Sequence, residues 1–188
     1  RMPPFAKREI KNSFIKLLTE RPISQITVKD IVEDCGVNRN SFYYHFQDKY
    51  ELLNQIYMQE IILPFTQDLS FDNWNENLYQ MFVTMQADSA FYRNAFLHSN
   101  EEFTTFLFSV VTDLFEEAAG RLQTKMKKSI TPEDAAFISA FFAYGMTGTI
   151  MAWMRSGMKE TPEELAKRLE NLVEDCHQIS INRYLGAI

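Results

Sequence analysis

An all-α fold is predicted by three features of the sequence. Six glycines and six prolines among 188 residues leave little material for the many tight turns of a stranded protein. Apolar residues recur three and four positions apart along most of the chain, which is the helical period. Threonine, asparagine or aspartate repeatedly stands just before such a run, where a helix start needs a side-chain acceptor. With 46% apolar and 14% aromatic residues the chain can build a sizeable core, and no segment alternates as a half-buried strand does.

The elements follow in order. Ile10, Phe14, Leu17 and Leu18 mark one face of a first helix, which Pro22 ends. Thr27 and Asp30 have capping-box spacing and open a short second helix to about Asp34, with Gly36 suited to the left-handed residue that follows. Asn38 caps a third helix running to about Phe46, and Asp48 with Glu51 opens a fourth that reaches Ile61 and is stopped by Pro64. Residues 64–75 read as a linker or loose turn. Further helices are expected at about 75–88, 89–99 and 101–126. Thr131-Pro132 and Thr161-Pro162 each place a capping threonine before proline at the first helical position, opening two long final helices.

Net charge is −6, but it is unevenly spread. Residues 1–50 hold nine Lys and Arg against six Asp and Glu, whereas residues 51–188 hold ten against nineteen. The first quarter can face a polyanion while the remainder stays off it. Phe137–Met154 runs eighteen residues without a charge, close to the shortest membrane span. Its serine, threonines and glycines, and the absence of a flanking basic cluster, favour a helix buried on all sides, as at a subunit interface. The first residues carry no apolar signal core, so a cytoplasmic protein without a membrane partner is expected. Cys35 and Cys176 have no CxxC spacing and read as small buried hydrophobes.

Two short helices joined by "CGVN" have the form of a helix-turn-helix. On the second of them, Phe42 and Phe46 share an inward face, leaving Arg39, Asn40, Ser41, Tyr43 and Tyr44 to point outward. Arginine can grip guanine and asparagine adenine through two hydrogen bonds, and serine and tyrosine hydroxyls can reach phosphates. Lys49 stands at the first position of the next helix, where free N–H groups already favour an anion, and reads as a phosphate clamp. Thr27 and Lys29 could clamp a neighbouring phosphate. His45 fits packing and DNA contact equally well.

"ITVKDIVEDCGVNRNSFYYHFQDKYELL", with the helix before it, resembles the DNA-binding domain of the TetR family of bacterial transcriptional regulators over about residues 5–60. "NRNSFYYHFQD" and "AWMRSGMKETPEEL" also resemble the branch that regulates dihydroxyacetone kinase operons. The resemblance implies a helix-turn-helix domain at 1–50 with a connecting helix to about 63, then a helical-bundle effector and dimerisation domain at 64–188. It implies that Thr27, Lys29, Arg39, Asn40, Ser41, Tyr43, Tyr44, His45 and Lys49 lie at or near DNA. Family members often carry a small residue or proline where Asn40 stands, so the bases it reads are not carried over. The implied function is a regulator, in sign a repressor, that binds a palindromic operator as a homodimer.

For the dimer, Met151, Trp153 and Met154 on one final helix and Leu165, Leu169 and Leu172 on the other are the candidates. Met81, Phe82, Met85, Phe106, Phe142 and Met146 are candidates for a plastic apolar effector pocket, with Tyr92, Arg93, His98 and Asn100 as polar handles. Taken singly, each apolar residue fits an ordinary core better than a pocket, and the effector can be a small molecule or a protein. His45, His98 and His177 form no HxxxH spacing and no Gly-rich phosphate loop or GxSxG elbow is present, so no enzyme, metal or cofactor is expected. The alternative is a helical module, or co-activator-dependent regulator, whose C-terminal domain binds a protein.

Overall fold

The computed structural model describes residues 4–96, 101–126 and 130–185, and among these every regular element is helical. In chain order they are α1 (Pro4–Glu20), α2 (Val28–Cys35), α3 (Arg39–His45), α4 (Lys49–Tyr57), α5 (Leu63–Thr66), α6 (Trp74–Ala87), α7 (Ser89–Phe96), α8 (Glu101–Met126), α9 (Pro132–Arg155) and α10 (Pro162–Leu185). A one-turn 3₁₀ segment, Ile23–Gln25, precedes α2.

The predicted caps form. Thr27 and Asp30 make a reciprocal capping box, and Gly36 closes α2 at φ 69°. Thr131 accepts from the Asp134 amide, and Thr161 from the Glu164 amide. Asp48 accepts from the amides of Tyr50 and Glu51, but the Glu51 carboxylate reaches past it to the Gln47 amide at 2.6 Å.

Pro64 does not stop the fourth helix. One wide π turn, Met58–Ile62, joins α4 directly to α5, with the Leu63 amide bonding back five residues to Met58. The wider turn makes room for the proline ring just beyond it. Thr66 then donates its hydroxyl to the Ile62 carbonyl at 2.6 Å.

The first three helices pack as a small unit around Phe14, Leu18, Ile31 and Phe42, all fully buried. Ser13 donates to the Ile31 carbonyl and Lys16 pairs with Asp34 at 2.6 Å, fixing α1 to α2. The same α1 lies along α7, and Asn94 donates to the Leu18 carbonyl at 2.9 Å. Helices α8 and α9 form an antiparallel pair, with α10 packed on α6.

Helix α3 has only seven residues, and isolated helices shorter than about 12–15 residues are marginal in water. Its stability therefore comes from seating Phe42. Phe42→Ala should cost about 3–5 kcal/mol, a large share of a total near 5–15 kcal/mol; a denaturant midpoint close to that of the unaltered protein would contradict this seating. The Asp34 carboxyl is held low by the Lys16 ammonium and then by Ser13, and Asp30 is held low by the Thr27 amide and hydroxyl. Such groups add stability above the unfolded-state value, and that stability disappears as pH falls through the folded one. Melting temperature should fall steadily below about pH 4, and less steeply in Asp34→Asn.

Candidate nucleic-acid interface

Helix α3 is positioned from both ends and from beneath. At its start Asn38 accepts from the Ser41 amide at 2.8 Å and from the Ser41 hydroxyl at 3.1 Å. Beneath it Phe42 packs edge-on to Tyr43 at 5.4 Å and against Phe46 at 5.6 Å. The Lys7 ammonium lies 5.6 Å over the Phe46 ring. What remains outward is a contiguous polar face: Arg39, Asn40, Tyr43 at 51% and Tyr44 at 64% exposure. Lys29 and Thr27 are also exposed, on the first turn of α2. The outward side chains can donate to phosphates and to base edges while the inward ones fix the helix axis.

Three residues of the expected set stand elsewhere. Ser41 is buried, and its hydroxyl is engaged by the Asn38 cap rather than turned to solvent. His45 is half-buried, edge-on to Tyr44 at 5.0 Å, and its Nε2 is buried without a hydrogen-bond partner. The Lys49 ammonium does not project from α4. It turns back to donate to the carbonyls of Ile23 at 2.7 Å and Ile26 at 2.8 Å, and lies 5.3 Å from the Tyr50 ring. Desolvation there pulls it below the ordinary lysine value, against the pull of Asp30 and Asp48. The Ile23 carbonyl also accepts from the Ile26 amide at 3.1 Å, so the ammonium is its second donor.

The remaining candidates divide by burial. Met151, Trp153, Met154, Leu165 and Leu169 belong to the protomer's own core, with Trp153 donating to the Glu160 carbonyl at 2.9 Å, and of the six expected at a dimer only Leu172 is exposed. The opposite side of α9 carries what the sequence reading missed: Phe137 at 73%, Phe141 at 66% and Tyr144 at 71% exposure. So α9 is not buried on all sides within the protomer, although by length and composition it could cross a membrane. Spacing could have found this face, since Phe137, Phe141 and Tyr144 recur at i, i+4 and i+7.

Of the pocket candidates, Met81 and Met146 line an apolar cavity among α5, α6, α8 and α9, together with Phe65, Leu69, Leu107 and Ile150. Phe142 lines a second one with Phe71, Phe115, Val173 and His177. Phe82 and Met85 are fully buried, Phe82 packing on Trp153 at 5.0 Å, and Phe106 is half-buried. Of the polar handles, Tyr92 is buried and Arg93 exposed, while His98 and Asn100 lie outside the described residues. Among the described residues no group of three His, Cys, Asp or Glu could hold a metal ion.

Comparison with known proteins places this geometry. Residues 15–56 match the sequence profile of bacterial regulatory proteins, tetR family, and residues 72–175 match the profile described as transcriptional regulator C-terminal region. The uncharacterized HTH-type transcriptional regulator YxbF of Bacillus subtilis (strain 168) is 21% identical over 181 residues, which cover 92% of this chain and 46% of that protein. The HTH-type dhaKLM operon transcriptional activator DhaS of Lactococcus lactis subsp. lactis (strain IL1403) is 25% identical over 88 residues, 47% of each chain. The matched regions thus span about half the length of these two relatives. A solved structure of the dihydroxyacetone kinase operon activator DhaS superposes with a TM-score of 0.71 at 21% identity, covering 93% of this chain and 97% of that one, and so shares the fold. With the helix-turn-helix inside one profile and more than half of the chain inside the other, the protein belongs to the TetR family of transcriptional regulators.

Proposed function

We propose that this chain is a cytoplasmic, homodimeric regulator that reads a palindromic operator through the outward face of α3. The observation that carries this reading is the division of that helix, with Phe42 buried beneath and Arg39, Asn40, Tyr43 and Tyr44 exposed above. Arg39 and Asn40 are the base readers, and Tyr43, Tyr44, Thr27 and Lys29 the backbone contacts. Ser41, His45 and Lys49 support the surface from below. The reading unit ends near residue 50, α4 connects it onward, and residues from about 64 carry the effector and dimerisation functions.

A lone helix-turn-helix makes few contacts, so two copies on half-sites about one helical turn, or a multiple of it, apart are required. The bare aromatic face of α9, with Leu172 and Ile179 on α10, is the surface a second copy would cover. No membrane is needed to account for it. The effector is a neutral, mainly apolar small molecule entering the cavity of Met81 and Met146. That lining has no charged side chain, the Thr66 hydroxyl is already engaged, and Asn77 has one donor on the Asn73 carbonyl. A protein in place of a small molecule is the competing outcome of an effector-binding assay.

In sign we infer a repressor, which acts by occupying the duplex; the activator likeness makes the opposite sign the competing outcome of a transcription assay on a template carrying the bound site.

Binding to duplex DNA, followed by fluorescence anisotropy, should weaken log-linearly with salt, with a slope of about −0.9 per phosphate neutralised. Replacing Tyr43 and Tyr44 together with alanine should lose roughly 100-fold or more in affinity, since each hydrogen bond to a charged group contributes about 1.5–3 kcal/mol. Unchanged affinity in that variant would remove this surface from the interface. In sedimentation, Phe141→Asp should convert dimers to single protomers, and a dimer that persists would exclude the α9 face.

A further inference from the structure

A second cavity lies behind the bare aromatic face of α9. Ile138 and Phe142 line it from α9, each one position beyond the exposed Phe137 and Phe141. Val173, Cys176 and His177 line it from α10, Phe115 and Ala119 from α8, and Phe71 from the turn before α6. It shares no lining residue with the cavity of Met81 and Met146. The Asn54 amide on α4 bonds Glu102 at the start of α8, and Phe115 to Leu122 lie roughly 20–30 Å further along that helix at about 1.5 Å per residue.

The rim is fixed by its own bonds. The Phe71 amide donates to Glu117 at 3.3 Å, and Arg121 bridges Glu117 at 2.6 Å and Asp72 at 2.8 Å. The Phe71 ring stands against Phe115 at 6.4 Å and against the His177 imidazole at 5.8 Å. Phe115 in turn stacks on Phe142 at 4.5 Å. Gln123 donates to the Ile130 carbonyl at 2.7 Å and so ties another lining residue to α8.

This lining selects its occupant. It has no carboxylate, ammonium or guanidinium, and Arg121 at the rim is already held between two carboxylates, so a charged group would enter without a counter-ion. A free volume of about 60 Å³ is several times the roughly 10–15 Å³ that one water needs. Water needs about two to four polar partners, however, and only Cys176 and His177 bring polar side chains. Three phenylalanine rings favour an occupant that is itself a ring, offset or edge-on to them. The imidazole adds a single donor or acceptor.

We propose that this cavity is a second small-molecule site, separate from that of Met81 and Met146, and that it takes a neutral aromatic ring bearing one hydroxyl, a phenol. Phe71, Phe115 and Phe142 hold the ring, and His177 bonds the hydroxyl. Neither the operator nor the other cavity is needed for this site.

The test titrates para-fluorophenol into the unaltered protein, with cyclohexanol and benzoate as controls, and follows the methyl resonances by NMR. A fragment of this size binds at roughly 1 mM. The methyls of Ile138 and Val173 should shift. Cyclohexanol should bind about threefold to tenfold more weakly, lacking the ring contacts, and benzoate should leave the spectrum unchanged. Ala119→Leu fills the void, so it should abolish the shifts while the melting temperature holds or rises; Ala118→Val takes its place should that variant not fold. His177→Phe keeps a ring in the wall but loses the hydrogen bond, and should weaken binding by about threefold to tenfold. Shifts confined to Leu107 and Ile150 would put the phenol in the other cavity, overturning this site while leaving the effector reading intact. No shift at any methyl, shifts that persist in the filled variant, or equal affinity for benzoate would overturn it as well.

Discussion

A helix of seven residues cannot hold itself, and the arrangement of the N-terminal helices answers that constraint. Nucleating a helix fixes several backbone angles before the hydrogen bonds repay it, so α3 exists because its surroundings hold it. Phe42 is fully buried beneath it, Asn38 closes its first turn, and Ser41 is drawn inward to help the cap. Each of these uses a side chain that would otherwise be free to touch a ligand. Holding the helix in place therefore decides which residues are left for contact.

The same division recurs on α9. One side of that helix fills the protomer core with Ala143, Met146, Ile150 and Met154, while the other is left bare with Phe137, Phe141 and Tyr144. Both outward faces are what remains after the core has taken its share. Between them runs the continuous path of α4, the π turn and α5. The packing of α1 on α7 gives a second route between the N-terminal helices and the rest of the chain.

Much of this was legible because capping is local. Thr27, Asn38, Asp48 and Thr131 mark helix starts through a bond to an amide two or three residues away, which spacing alone reveals. The inward position of Phe42 and Phe46 was legible for the same reason. What was not legible depends on distance or on a choice between equals. Nothing near Lys49 says that its long side chain will return to carbonyls more than twenty residues earlier. Pro64 looked like a stop because the rule assumes a regular α-turn before it, and a π turn removes the clash. An uncharged run such as Phe137–Met154 does not state which side faces its own fold, so Met151, Trp153 and Met154, expected at a dimer, lie inside the protomer. The aromatic periodicity on the other side was present but was outweighed by overall hydrophobicity.

In the proposed function, the outward face of α3 reads base pairs in a symmetric pair of sites. The most direct measurement selects bound duplexes from a random pool with the unaltered protein and, in parallel, with Asn40→Ala. The first should yield a two-fold symmetric consensus, and the second the same consensus with preference lost at one symmetry-related pair of positions. Identical consensus sequences from both proteins, or enrichment from neither, would contradict it.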